Sequence, residues 1–223
     1  LFLISAAGRN EECPLILLRR GELAVMTLYS RGDDPHSHWV RIVLAAKGLE
    51  LHVVYVDPAR PPEDLIYLNP YQSVPTLVDR DLVVYWAGIV SEYVDERFPA
   101  PALLPGDPGG RAQARVALHR IELDWYALVP ALEGGERRDE QRARRLMLEA
   151  VLAAEPLFRL RPWFLSEQFS LLDAAVAPIL WRLPHWRVSL PAGAAALERY
   201  QQRLHAHPAF RASLSEAEQA MRA

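Results

Sequence analysis

Three stretches of the 223-residue chain carry side chains whose types and spacing suit chemistry. In the first, Ser37 stands near a predicted helix start between His36 and His38, three residues after Asp34. A hydroxyl at the positive end of a helix can stabilise an anion such as a thiolate. Ser is favoured in such positions for purely structural reasons, as a capping or first-turn residue, and that role is the expected one. Tyr29 is the nearest phenol. His36 and His38 stand two apart, so they project from different helix faces, and no metal site is expected from them. The second stretch is Val74-Pro75. An X-Pro bond is the one place where a cis peptide costs only about 0.5–1 kcal/mol. A cis bond would turn the Val74 backbone toward an extended ligand; a trans proline would simply open an edge strand. The third is Pro99-Ala100-Pro101, stiff and poor in donors, which suits either a docking surface or a rigid interdomain spacer. Elsewhere, His119, Glu122 and Asp124 are read as a polar network or a solvated face, and His205 and His207 as exposed residues at a helix end.

These residues need elements to position them. Met26 to Ser30 reads as a strand, Arg31 to Pro35 as a turn, and His36 onward as a helix closed by Gly48. Leu51 to Val56 gives a second strand, and Pro62 to Leu68 a short helix ended by Asn69-Pro70. Thr76 to Val78 and Leu82 to Tyr85 form a hairpin, followed by a helix from Ala87 to Phe98. The order β-α-β-α-β-β-α is an α/β pattern in which a parallel pair opens and an antiparallel hairpin closes. Residues 99–110, rich in Pro and Gly, read as a linker, and everything from 111 to 223 reads as helical. The expected helices are Gly110–Leu132, Glu136–Ala154, Leu171–Leu183 and Ala192–Ala206, the last stopped by His207-Pro208, with a short final helix near Ser213 or Ser215. Ser170-Leu171-Leu172-Asp173 is a capping-box-like start, worth about 1 kcal/mol.

Such a thioredoxin-like α/β domain over residues 26–98, followed by an all-helical domain, resembles the glutathione S-transferase superfamily. Val74-Pro75-Thr76-Leu77 sits where that superfamily carries its cis-proline loop, so the bond is expected to be cis. Longer segments resemble its stringent starvation branch: Ser37 to Ala45, Leu68 to Arg80, Glu92 to Pro99, His119 to Tyr126, Trp181 to Pro184 and Ser213 to Glu218. The resemblance implies a non-catalytic bacterial transcription regulator of the stress or stationary-phase response. It would bind RNA polymerase holoenzyme at its sigma-bearing region and act as a homodimer without cofactors.

Two departures from the enzymes of the superfamily support that reading. The position of their nucleophilic cysteine falls on Asp34, whose carboxylate would repel a thiolate. Their Glu-Ser pair, which anchors the γ-glutamyl end of glutathione, reads Trp86-Ala87. The degenerate glutathione site is thus expected to comprise Asp34, Ser37, Val74, Pro75, Trp86 and Ala87. The competing reading is a glutathione-dependent transferase or isomerase using Ser37. A third departure concerns the partner surface: the branch's Pro-His-Pro reads Pro99-Ala100-Pro101, without the imidazole.

Composition fits this picture. A net charge of −3 gives no reason to expect direct nucleic-acid binding, and no apolar run is long enough for a membrane helix. The lone cysteine, Cys13, excludes an internal disulfide and suits a reducing cytoplasm. It lies in residues 1–25, which read as an extension foreign to the rest, with Met26 near the natural start. Of the 25 basic residues, 24 are Arg and one is Lys47.

Overall fold

The computed structural model describes residues 26–222. The reading of the first 25 residues, with Cys13, lies outside the described residues. The first half runs β1 (Thr27–Ser30), α1 (Pro35–Ala46), β2 (His52–Tyr55), α2 (Glu63–Leu68), β3 (Thr76–Asp79), β4 (Leu82–Tyr85) and α3 (Ala87–Arg97). The strands make one sheet in the order β2-β1-β3-β4. β1 lies parallel to β2 and antiparallel to β3, placing Leu28 between Val53 and Leu77. The rest is helical: α4 (Pro108–Asp124), α5 (Val129–Gly134), α6 (Arg137–Ala153), α7 (Leu157–Leu160), α8 (Leu171–Arg182), α9 (Ala195–Ala206), α10 (Pro208–Ser213) and α11 (Glu216–Ala220).

α8 is the central helix. Its residues from Leu171 to Leu180 are all buried, against α1 on one side and α4 and α9 on others. Each large apolar side chain so buried contributes roughly 1.5–3 kcal/mol. The capping box is formed: Ser170 Oγ accepts from the Leu172 N–H, and Asp173 Oδ2 accepts from the Ser170 N–H at 2.9 Å. Asp173 reaches further, accepting from the Phe164 N–H at 2.8 Å and the Tyr200 hydroxyl at 2.6 Å.

Several boundaries depart from the sequence reading. The helix expected over Gly110–Leu132 is broken: α4 stops at Asp124, a 3-10 turn covers 126–128, and α5 starts at Val129. Pro130 explains the break, because its ring excludes a continuous helix and its missing N–H is harmless only in a first turn. α4 also starts inside the expected linker, at Pro108, with Asp107 capping the Gly110 N–H at 2.7 Å. His207-Pro208 ends α9 but also opens α10, with Pro208 in its first turn. His205 and His207 are not exposed at a helix end. His205 packs on Trp181 and Phe210, and His207 stacks on Phe169 at 4.2 Å.

Two buried ionic clusters tie the halves together. The Lys47 Nζ donates to Asp95 Oδ1 at 2.6 Å and to the carbonyls of Phe98 (2.7 Å) and Pro101. Asp95 in turn accepts from the Leu103 and Leu104 N–H groups. The second cluster centres on Glu218 of α11, fully buried between Arg41 of α1 (2.7 Å) and Arg182 of α8 (2.6 Å). Arg41 also donates to Ser30 Oγ and the carbonyls of Arg31 and Ser213, and Arg182 to the carbonyl of Asp33. His38, on the opposite side of α1 from His36, sits between Arg182 (Nδ1, 3.2 Å) and the Ser213 hydroxyl (Nε2, 3.0 Å). Complete burial and then the two guanidinium charges hold its pKa well below the ordinary value, so it is neutral.

Candidate functional site

A cavity of about 580 Å³ opens between the halves. Its walls come from α1 (His36, Trp39), the β3 entry (Val74, Pro75), the start of α3 (Trp86 to Ile89, then Glu92) and α4 (Arg115, Leu118, His119, Glu122). The Val74-Pro75 bond is cis. The loop before it is braced by Asn69, fully buried, whose amide donates to the Ser73 carbonyl, Ser73 Oγ and Thr76 Oγ1 at 2.8–3.1 Å. Asn69 Oδ1 also accepts from the Tyr71 N–H, an Asx turn. That brace was legible in the Asn-Pro-Tyr spacing, yet the sequence reading used Asn69 only as a helix end.

At the start of α1, Asp34 is the N-cap and accepts from the Ser37 N–H at 2.6 Å. Burial alone would raise the Asp34 carboxyl; His36 and the Ser37 donors overcome this and hold it below its usual range. The positive end of α1 is therefore already occupied by the chain's own carboxylate. Ser37 is fully buried, does not line the cavity, and accepts with its Oγ from the Arg31 N–H at 3.1 Å. Tyr29 is also buried, in a separate small cluster with Val56 and Leu65. The cavity wall thus carries no hydroxyl. Its polar groups are two imidazoles, Glu92 and Glu122, and the Arg115 guanidinium, which is bound through two nitrogens to Glu92 at 2.7–3.1 Å.

Trp86 and Ala87 do reach the cavity. Trp86 precedes α3 with φ 69° and ψ 127°, a backbone conformation that bulky residues rarely adopt and that concentrates at functional positions. Its indole is half exposed and lies against the rings of Tyr71 and Tyr85. Neither residue caps the helix with a side chain. Of the polar trio, His119 and Glu122 line the cavity, and Asp124 is exposed away from it. Among the described residues no group of three or more His, Cys, Asp and Glu is placed to hold a metal.

Comparison with known proteins agrees with this geometry. The N-terminal domain family of glutathione S-transferases matches residues 24–96, and its C-terminal domain family matches 116–208. The chain is 42% identical over 200 residues to a stringent starvation protein A homolog of Coxiella burnetii, covering 89% of this chain and 96% of that protein. The chain belongs to the stringent starvation protein A branch of the glutathione S-transferase superfamily. A homolog from Haemophilus influenzae is 43% identical over 87% of the chain and 92% of its own length. Outside the branch, the maleylacetoacetate isomerase of Pseudomonas aeruginosa is 30% identical over 83% of the chain and 94% of its own length. Among solved structures, a ternary complex of BphK, a bacterial glutathione S-transferase, shares the fold with a TM-score of 0.78 at 21% identity, covering 86% of this chain and 99% of that one.

Within this branch the chain offers a direct test of its cavity. The double variant W86E/A87S puts a carboxylate and a hydroxyl at the start of α3. Charge-assisted hydrogen bonds contribute about 1.5–3 kcal/mol each, so glutathione should bind the double variant at least about tenfold more tightly than the parent. Titration calorimetry reads this; equal affinities would show that the anchor positions do not govern binding.

Proposed function

We propose that this chain is a non-catalytic bacterial transcription regulator that associates with RNA polymerase holoenzyme. The observation that carries the reading is the start of α3, where an exposed indole and a methyl group stand in place of the superfamily's glutathione anchor. The occupied N-terminus of α1 and the buried Ser37 hydroxyl point the same way. The fold then serves as a rigid platform in the cytoplasm, presented as a homodimer through α3 and α4. Exposed Ile89, Val116 and Leu123 on those helices supply apolar area for such a seam.

The polymerase would dock on Pro99-Ala100-Pro101. All three residues are exposed, and Lys47 holds the carbonyls on either side of Ala100 from within the core. The segment is thus pre-shaped, which lowers the ordering cost of binding. Affinity capture of purified holoenzyme tests the proposal, and failure to retain it at moderate salt overturns it. Ala100→Asp should reduce retention by about tenfold or more, because it places an unpaired charge at the contact. The variant should keep the parent's unfolding midpoint.

The likeness to maleylacetoacetate isomerase favours a second reading, a glutathione-dependent isomerase or transferase. Turnover of a generic electrophile with glutathione, lost in Ser37→Ala, would establish that reading in place of the first.

A further inference from the structure

A second cavity, of about 450 Å³, lies on the far part of the helical domain between α7, the strap after it, and α9. Four guanidinium groups line it: Arg159 and Arg161 from α7 and the strap, Arg199 and Arg203 from one face of α9. No carboxylate is among the lining residues. Like charges gathered around one recess repel unless an anion lies between them. The counter-charges cover only half of the group. Arg159 pairs with Glu155 at 3.0 Å and Arg161 with Glu167 at 2.6 Å, both from outside the cavity. Arg203 donates to the Pro162 carbonyl, which shapes the strap but neutralises nothing. Arg199 has neither an ion pair nor a hydrogen bond among the described residues. Phe158 and Tyr200, both buried, line the same cavity as an apolar floor, and the Tyr200 hydroxyl points away to Asp173. A low-dielectric floor strengthens any ion contact made above it.

We propose that this cavity is a binding site for a small, multiply charged phosphate compound. Guanidinium groups match phosphate oxygens in planar, two-point geometry, and two of the four still lack a counter-charge. The volume lies in the range of small-molecule sites. Nothing in the glutathione-type cavity contributes to it: the two sets of lining residues have no member in common.

Inorganic tripolyphosphate is the probe. Titration calorimetry of the full chain at constant ionic strength should give saturable one-to-one binding, with sulfate binding far more weakly. Arg199→Glu is chosen because that residue is exposed and makes no ion pair or side-chain hydrogen bond among the described residues. It should weaken tripolyphosphate binding by about tenfold or more, while R137A/R138A, which removes two exposed charges from α6, should leave it within about twofold. Absence of saturable binding overturns the proposal. So does equal weakening in the α6 variant, which would reveal only a general effect of charge. Tighter binding of an acidic peptide or of single-stranded RNA than of tripolyphosphate would also overturn it, by assigning the cluster to a macromolecule.

Discussion

Replacing Glu218 with Gln should lower the unfolding free energy by about 3–5 kcal/mol, the usual cost of breaking a buried ion pair from one side. Among the described residues Glu218 is the one carboxylate that meets both Arg41 and Arg182, and its side chain is fully buried. The amide keeps the shape but leaves two guanidinium charges in the core, with His38 already neutral between them. The three residues come from α11, α1 and α8, so the loss would be felt in both domains at once. For a domain with a typical stability of 5–15 kcal/mol this is a large share. Urea unfolding followed by circular dichroism measures it; a change below about 1 kcal/mol would mean that the two arginines find other partners. A surface pair makes the contrast. Arg120–Asp124 lies on the exposed side of α4, and its removal should cost well under 1 kcal/mol.

Acid should begin to destabilise the fold near the pKa of a free imidazole, through two histidines that the fold keeps from protonating. Burial pushes His205 down to about 3, and burial with two neighbouring arginines holds His38 well below its usual range. Both imidazoles are therefore neutral when folded, whereas an unfolded chain protonates them near pH 6.5. Below that pH the unfolded state binds the extra protons, so stability falls as pH falls, by up to about 1.4 kcal/mol per pH unit for each histidine. Glu133 works the other way. Partial desolvation by the surrounding chain, against the pull of Arg182, raises its carboxyl to about 7, so the folded state takes up a proton in the same range. Its side chain is exposed at the surface, and solvent screening reduces this opposing effect. Between pH 6 and 5, His205→Phe should therefore flatten the pH dependence by about 1.4 kcal/mol per unit relative to the parent. Carboxylates such as Asp33, held low by its hydrogen bond to Arg31, titrate below this window and leave the difference untouched. Urea midpoints at a series of pH values give the slope. Parallel slopes for parent and variant would mean that His205 is charged in the fold.

What the sequence made legible follows from how local the signal is. The β-α-β-α-β-β-α order, the cis Val74-Pro75 loop and the Ser170–Asp173 capping box are all written in neighbouring residues, and all are present. Trp86-Ala87, singled out in the sequence by its position after the hairpin, is among the residues that line the cavity. Asp34 and Ser37 sit beside the cavity in sequence but turn inward, because they satisfy each other and the Arg31 N–H. What stayed hidden depends on distant partners or on proline read one way only. Arg41 and Glu218 are 177 residues apart, and Lys47 and Asp95 are 48 apart, so no periodicity links them. His207-Pro208 signals a stop in sequence although proline is equally a start, and the apolar periodicity around Pro130 masks the break there. His205 and His207 looked exposed because their aromatic partners, Trp181 and Phe169, lie on other segments.

The burial of Lys47 carries a practical consequence for labelling. It is the chain's single lysine, and its ammonium is sealed by Asp95 and two carbonyls with no exposed side-chain area. Amine-reactive dyes, biotin esters and lysine cross-linkers should therefore find no side-chain target on the folded protein. Acylation of Lys47 becomes a reporter of opening around Asp95 and the Pro99-Ala100-Pro101 segment, readable by mass spectrometry at one side chain and distinguishable by position from acylation of the α-amine.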